Sequence, residues 1–350
     1  MWKIKGTIRY FLSMWTVTFV QMGIFIYIQQ MIAGSNRGEV QDFRWESLLL
    51  QLFVLLPYVV FAAPASFLSN RFPKHKVLAW TSVLMTAFLI AMAVCATVGV
   101  SGVAYWLFLG LATGFALHSP AKYGILKEMC STRYLGYANA FLQIVSLISL
   151  VAASALCLGG VEFVRSNFEN VPNVNDFLSS SIALPWILTG FSVLGTVLSF
   201  FIPKVGTEST TTKIRSVKRE FRSTLSNPLV RATILGISLF WGMAQVFVLI
   251  FQDANGQGIN FLKNSILFAF LGLAIGSIWA ARSSRNFIET GHIPLGMLLV
   301  VVSMVPIPFV SNPTVLAILF TLAGLGGGLF LVPLNSLLQY NTKPHTAGRI

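Results

Sequence analysis

Long apolar stretches separated by short polar segments make up most of the chain. A helix crosses a bilayer with about 20 consecutive apolar residues, and ten stretches reach that length. This pattern predicts an all-α polytopic membrane protein. The ten predicted spans are residues 8–34, 47–69, 78–100, 102–121, 136–158, 181–203, 229–251, 262–281, 293–311 and 313–338.

Composition agrees with this pattern and argues against a soluble or nucleic-acid-binding protein. Hydrophobic residues make up 55% of the chain and charged residues 10%, whereas a soluble domain carries about 25% charged residues. The net charge of +13 does not indicate nucleic acid, because most basic residues lie between the apolar spans. Cys95, Cys130 and Cys157 show no metal-site spacing and are expected to be free thiols.

The basic residues predict the orientation of the chain in the membrane. With the N-terminus in the cytoplasm, all but four of the 24 Lys and Arg residues fall on the cytoplasmic side, as the positive-inside rule requires. The four exceptions are Arg37, Arg44, Arg165 and Lys263. The basic segment 204–228 is predicted to be a cytoplasmic linker, either a solvated connector or an amphipathic helix on anionic headgroups.

The chain contains an internal repeat. The second span ends at Arg71 and the eighth at Arg282, and each is followed by a short basic loop. A proline then follows at nearly the same distance in both copies, Pro120 in LATGFALHSPAKYGIL and Pro333 in LAGLGGGLFLVPLNSLL. The arginine at the span end, the basic loop, the spacing to the proline and the sequence around the proline match in one register. They predict two copies of one unit, and the second copy supplies four spans within this sequence.

Two units of six spans, repeated in the same orientation and joined by a cytoplasmic loop, resemble the major facilitator superfamily. The resemblance implies a fold of 6+6 pseudo-symmetric helices, of which this chain holds about ten. It also implies an N-terminal half at 1–203, the linker at 204–228 and an incomplete C-terminal half at 229–350. Transport is then expected to proceed by rocking of the two halves, with the substrate entering between them.

The loop after the second span resembles the signature of that superfamily, in which charged residues hold the halves together in one state. Ser66, Asn70 and Pro73 replace a glycine, the aspartate and a second glycine of that signature. The residues expected to act as a conformational latch are Asn70, Arg71, Lys74, Lys76 and Arg282.

Several short motifs resemble, more narrowly, the bacterial lysophospholipid transporters, a module that also occurs fused to acyl-glycerophosphoethanolamine acyltransferases. The segments that carry the resemblance are SPAKYGIL at 119–126, SLFWG at 238–242, IPLG at 293–296 and VPLNSLLQ at 332–339. This resemblance implies movement of lysophosphatidylethanolamine and related lipids across the bacterial inner membrane for reacylation. An acyltransferase on the cytoplasmic side is then an expected partner, besides the membrane lipids.

Candidate binding residues lie in two of these segments. Lys122 follows Pro120 within an apolar span and is expected to contact the phosphate of the lipid; alternatively its ammonium group snorkels to the headgroups. Tyr123 adjoins it, and either binds substrate or packs against another helix. Asn335 and Gln339 lie one helical turn apart and are expected to offer neutral hydrogen bonds to a headgroup. Gly326–Gly328 is predicted to be a site of close helix packing.

Some intramembrane charges typical of the lysophospholipid transporters are missing. Val17, Gln143 and Val248 stand where that family carries an acid or an arginine. Losing acid and base together leaves no unpaired buried charge, but it favours an alternative in which the chain facilitates another small solute. A transporter-like module of a bifunctional acyltransferase is a further alternative.

The sequence predicts no enzyme, metal site or cofactor. None of the four histidines is followed five residues later by aspartate, so the His-x4-Asp signature of glycerolipid acyltransferases is absent from these 350 residues. The sequence also contains no nucleotide-binding loop.

Overall fold

The structure, a computed structural model, describes residues 6–35, 40–130, 134–157, 182–205, 226–253, 259–284, 287–310 and 312–341. These residues form eleven α-helices and two short 3₁₀ turns, without a β-strand in the described ranges, and the all-α prediction is confirmed. The helices are α1 Thr7–Ser35, α2 Val40–Val60, α3 Ala62–Arg71, α4 Lys74–Val98, α5 Ala104–Met129, α6 Leu135–Ala155, α7 Ala183–Phe200, α8 Pro228–Asp253, α9 Ile259–Ser283, α10 His292–Met304 and α11 Pro313–Asn341.

A helix or a pair of helices occupies each of the ten predicted spans. In the described part of the chain, six helical segments are long and apolar enough to cross a membrane alone, and the bent pair α2–α3 makes a seventh. Shorter apolar stretches of α8 and α9, Pro228–Ala244 and Phe268–Ser283, account for two more. The remaining predicted span corresponds to α5, which carries Lys122 and Lys127. Most of the predicted linker at 204–228 lies outside the described residues.

The predicted second span is bent rather than continuous. α2 and α3 meet at Phe61 at an angle of 51°. Pro57 lies inside α2 and Pro64 in the first turn of α3. Each proline removes a backbone donor and its ring crowds the preceding turn, which is the usual cause of a sharp kink. The N–H of Phe61 still donates to the carbonyl of Pro57, at 2.8 Å, so the helical path resumes at the bend.

α4 ends in a turn that only glycine adopts easily. Gly99 has φ = +79°, a left-handed conformation that costs a side chain more than it costs glycine. The N–H of Val100 donates to the carbonyl of Cys95 at 3.0 Å, and that of Gly99 to Ala96 at 3.3 Å. This arrangement is a Schellman cap, and a 3₁₀ turn at Ser101–Val103 connects it to α5.

The described helices fall into two compact units. The first contains α1–α4, α5 up to Ile125, the end of α6 from Ile148, and α7. Its core is formed by large apolar side chains such as Ile24, Leu89 and Leu188, all fully buried. α7 packs closely against α1, because a Cβ on Gly23 would lie 2.5 Å from Leu188.

The second unit contains the last turn of α5, α6 up to Leu147, and α8–α11. Segments from both copies of the sequence repeat therefore pack together in this unit. The predicted halves at 1–203 and 229–350 follow the repeat in the sequence rather than this packing, and they stay a prediction.

Glycines bring the backbones of α9 and α11 into direct contact. A Cβ on Gly276 would collide with the carbonyl of Leu325, and one on Gly324 with the carbonyl of Ala269. In the Gly326–Gly328 run, a Cβ on Gly328 would lie 2.5 Å from the backbone nitrogen of Ser277. The prediction that this run serves close helix packing is confirmed.

We expect Gly276→Ala to destabilise the protein, because its methyl group would meet backbone rather than a movable side chain. Overpacking of this kind costs about 1–3 kcal/mol. The matched control is Gly242→Ala, since a Cβ on Gly242 meets nothing within 4 Å. The measurement is the temperature at which purified protein in detergent loses its monodisperse peak. Equal transition temperatures for the two variants would contradict a direct backbone contact between α9 and α11 at Gly276.

Candidate functional site

α5 places Lys122 in the first unit, partly open to its surroundings. Pro120 lies inside this helix, two residues earlier, and has no N–H to donate to the preceding turn. Lys122 is half-buried, and its Nζ lies 5.7 Å from the ring centroid of Tyr123, which is 37% exposed. A cation at this distance from an aromatic face is attracted to it. The ammonium group thus lies near one aromatic ring.

The backbone at Lys122 is fixed by α1. The hydroxyl of Tyr10 donates a hydrogen bond of 2.8 Å to the carbonyl oxygen of Lys122, and Tyr10 is fully buried. A buried hydrogen bond of this kind contributes about 1 kcal/mol. It also orients the turn that follows Pro120, so the position of the lysine side chain depends on both helices. The sequence pattern gave no indication of this pair, because the two residues are far apart in the chain.

A buried histidine precedes Lys122 by one helical turn. His118 is 2% exposed, and its Nδ1 lies 2.9 Å from Oγ1 of Thr81 on α4. Oγ1 of Thr81 also lies 2.8 Å from the carbonyl oxygen of Val77 and 3.1 Å from that of Leu78. The direction of its bond to His118 depends on the imidazole tautomer. Nε2 of His118 is buried without a hydrogen-bond partner among the described residues.

A second polar cluster, here called the amide cluster, lies in the second unit and consists of Lys127, Asn139, Ser336 and Gln339. Nε2 of Gln339 donates to Oδ1 of Asn139 at 2.7 Å. Nδ2 of Asn139 donates to the carbonyl of Leu135 at 3.0 Å and to Oγ of Ser336 at 3.4 Å. The Nζ of Lys127 donates to the carbonyl oxygen of Gln339. Each bond of this kind between membrane helices contributes about 0.6–2 kcal/mol.

The predicted binding residues thus fall in different units. Lys122 and Tyr123 adjoin each other in the first unit. Asn335 and Gln339 belong to the second, where Asn335 is half-buried and Gln339 is 5% exposed. The contact with substrate that was expected of each stays a prediction. For Gln339 the structure adds a protein partner, Asn139, to which its amide nitrogen donates.

The predicted latch residues occupy the end of α3, the start of α4 and the end of α9. Nδ2 of Asn70 donates to the carbonyl of Ser66 at 2.7 Å. The guanidinium carbon of Arg71 lies 5.5 Å from the ring centroid of Phe67. Lys74 is buried, Lys76 is exposed, and Arg282 is exposed at the last turn of α9. Their action as a latch stays a prediction.

Val17, one of the positions that lack a charge, lines a small cavity in the first unit. Hydroxyl groups of Ser82, Ser192 and Thr196 form the polar part of its wall. Oγ1 of Thr86 lies 2.7 Å from Oγ of Ser192 and 2.8 Å from Oγ1 of Thr196. Val17 therefore adjoins neutral hydroxyl groups, and no basic residue lines this cavity in the described part of the chain. The side chain of Val248, another such position, lies outside the described residues.

Comparison with protein families places almost the whole chain in one family. The model of the Major Facilitator Superfamily matches residues 10–350. The match includes both predicted copies of the repeat, the Lys122 region and the amide cluster.

Named relatives are similar over most of this length. The lysophospholipid transporter LplT of Photorhabdus laumondii subsp. laumondii is 28% identical over 315 residues, which cover 84% of this chain and 71% of that protein. The lysophospholipid transporter LplT of Yersinia pestis (strain Pestoides F) is 26% identical over 318 residues, covering 87% and 72%.

Solved structures agree in fold at low sequence identity. A crystal structure of the E. coli fucose:proton symporter FucP matches with a TM-score of 0.74 and 13% identity, over 99% of this chain and 87% of that one. An outward-facing bacterial homologue of the iron transporter ferroportin matches with a TM-score of 0.65 and 12% identity, over 99% and 87%. Fold, family match and repeat agree, and this chain belongs to the Major Facilitator Superfamily.

Proposed function

We propose that this protein is a secondary transporter that moves lysophospholipids across the bacterial inner membrane. The observation that carries the proposal is Lys122, a half-buried residue whose ammonium group lies beside Tyr123 on a helix that α1 anchors through Tyr10. The similarity to proteins named lysophospholipid transporter supports the choice of substrate. The protein is an integral membrane protein, and its N-terminus is proposed to lie in the cytoplasm.

The chemistry of Lys122 suits a phosphate headgroup. An ammonium group donates up to three hydrogen bonds, and charge-assisted bonds to phosphate oxygens are stronger than those between neutral groups. Unloaded, the cation retains part of its stabilisation from the ring of Tyr123. On binding, the phosphate supplies the counter-charge that the apolar surroundings do not, while the acyl chain remains among apolar side chains or lipid.

Transport is proposed to follow alternating access, with residues 1–203 rocking against 229–350. A partner that reacylates the lipid on the cytoplasmic side would consume the product and draw net movement inward. The chain itself is proposed to carry no catalytic activity, in agreement with its membership of a transporter family.

A second candidate function is transport of another small solute by the same fold. The observation that favours it is the set of uncharged residues, Val17, Gln143 and Val248, at positions where the lysophospholipid transporters carry charge. Without those charges the chain offers fewer partners to an ionic headgroup than that family does. The two candidates differ in whether Lys122 contacts the substrate.

We expect Lys122→Ala to lower uptake of labelled lysophosphatidylethanolamine into spheroplasts about 10- to 100-fold, since a hydrogen bond to a charged group contributes about 1.5–3 kcal/mol. The matched control is Lys204→Ala, which removes an exposed lysine beyond the end of α7. Uptake is compared at equal amounts of membrane-inserted protein. Undiminished uptake by Lys122→Ala would exclude Lys122 from the substrate path.

We also expect the wild-type protein to recognise phosphate rather than the acyl chain alone. Unlabelled lysophosphatidic acid should compete with labelled lysophosphatidylethanolamine, whereas monoacylglycerol, which lacks phosphate, should not. The measurement is uptake at a fixed concentration of labelled lipid with increasing competitor. Equal competition by the two lipids would contradict phosphate recognition and favour the second candidate function.

A further inference from the structure

The small cavity beside Val17, here called the hydroxyl cavity, lies inside the first unit and is lined by residues of α1, α4, α5 and α7. The hydroxyl groups of its wall belong to Ser82, Ser192 and Thr196. The centre of a water molecule has about 10 Å³ in which to move there. This is the space that one buried water requires, and it is too small for a larger solute.

Ser82, on α4, brings to this cavity a hydroxyl group without a protein partner. The residue is buried, and its Oγ makes no hydrogen bond to another described residue. Its neighbour Thr81 behaves differently, since its hydroxyl lies 2.8 Å from the carbonyl oxygen of Val77 one turn earlier. A hydroxyl group that leaves water and finds no partner destabilises the folded protein. The hydroxyl of Ser82 therefore calls for a ligand in the cavity.

Ser192 and Thr196, on α7, have hydrogen-bonding capacity to spare. Oγ of Ser192 and Oγ1 of Thr196 lie 2.7 and 2.8 Å from Oγ1 of Thr86 on α4. A hydroxyl group has one donor and two acceptor positions, and the contact with Thr86 takes one of the three. Two positions thus stay open on each of the two α7 hydroxyl groups among the described residues.

A water molecule matches these open positions in number and in kind. It donates two hydrogen bonds and accepts two, and a buried water makes about three in all. Three hydroxyl groups with open positions line the space that it would fill, and each of them can either donate or accept. Apolar cavities stay dry because they offer no such partners, and this wall is not of that kind.

A cation fits this site less well than water does. The residues that line the cavity in the described part of the chain include no acidic side chain. A bound ion would therefore remain as a buried charge without a counter-charge, which is strongly unfavourable. Water brings no charge, and it satisfies the same hydroxyl groups.

We propose that one buried water molecule occupies the hydroxyl cavity and bridges Ser82 on α4 to Ser192 and Thr196 on α7. The bridge adds a second polar link between two helices that Thr86 already joins. It lies next to Val17 of α1, so the water belongs to the uncharged surroundings of that position. The inference is independent of what the protein transports.

The first test detects the water through the side chains beside it. A short X-ray pulse splits bound water into hydroxyl radicals, which oxidise neighbouring sulfur and aromatic groups before they can diffuse away. The full chain, purified in detergent, is equilibrated with water that carries a heavy oxygen isotope, and mass spectrometry locates the oxygen gained. We expect labelling of Met85 and Phe115, which line the cavity and are at most 5% exposed.

Matched internal controls lie on the same two helices. Met92 on α4 and Phe108 on α5 are equally buried but do not line the cavity, and they should gain no label. Labelling of Met85 and Phe115 no faster than that of Met92 and Phe108 would overturn the proposal.

Filling the cavity should abolish the labelling. Ser82→Val removes a hydroxyl group and places a methyl group where the water is held, so the label on Met85 should fall to the level of Met92. The matched control is Thr18→Val on α1, which removes a buried hydroxyl bonded to the carbonyl of Met14 in its own helix. It should leave the label on Met85 unchanged. Persistent labelling in Ser82→Val would show that the radicals come from elsewhere.

A second test depends on the sign of a stability change. If the Ser82 hydroxyl is bonded to water, Ser82→Ala loses a hydrogen bond and lowers the transition temperature by about 2–4 °C. If the cavity is dry, the same change removes an unsatisfied group and leaves this temperature unchanged or raises it. Either of these two results would contradict the water bridge. Neither test uses a lipid, so lysophospholipid transport is decided separately by the uptake assay.

Discussion

Hydrocarbon offers no hydrogen-bond partners, and this constraint determines where polar groups of this protein lie. Backbone groups are satisfied within helices, which is why the described residues form helices joined by short connections. Many buried hydroxyl groups of the described residues bond to a carbonyl of their own helix one turn earlier, as Thr18 does to Met14 and Ser277 to Leu273. Other polar side chains reach a neighbouring helix, and they mark the places where helices are tied together.

Those places are chemically different from one another. At Lys122 a charge lies beside an aromatic ring, and the backbone carbonyl of this residue receives the inter-helix bond from Tyr10. In the amide cluster the side chains bond to each other and are buried. A cation favours a ligand that brings its own negative charge. A closed amide pair favours a conformation, because its bonds exist only while the helices touch.

The apolar pattern predicted most of the fold, since long apolar stretches in membrane proteins have almost no structure available except a helix. It also indicated Gly326–Gly328 as a packing site, because glycine inside a membrane helix has few other uses. The bend at Phe61 was missed, although Pro57 was visible, because proline does not always bend a helix. The pairs Asn139–Gln339 and Thr81–His118 could not be predicted. Periodicity identifies a helix but not its neighbours, and residues 200 positions apart carry no local signal of their contact.

α5 contributes Lys122 to the first unit and Lys127, a member of the amide cluster, to the second. Successive residues of a helix are rotated by about 100°, so the side chains of Lys122 and Lys127, five positions apart, point about 140° away from each other. One helix therefore presents one ammonium group beside Tyr123 and another to the carbonyl of Gln339.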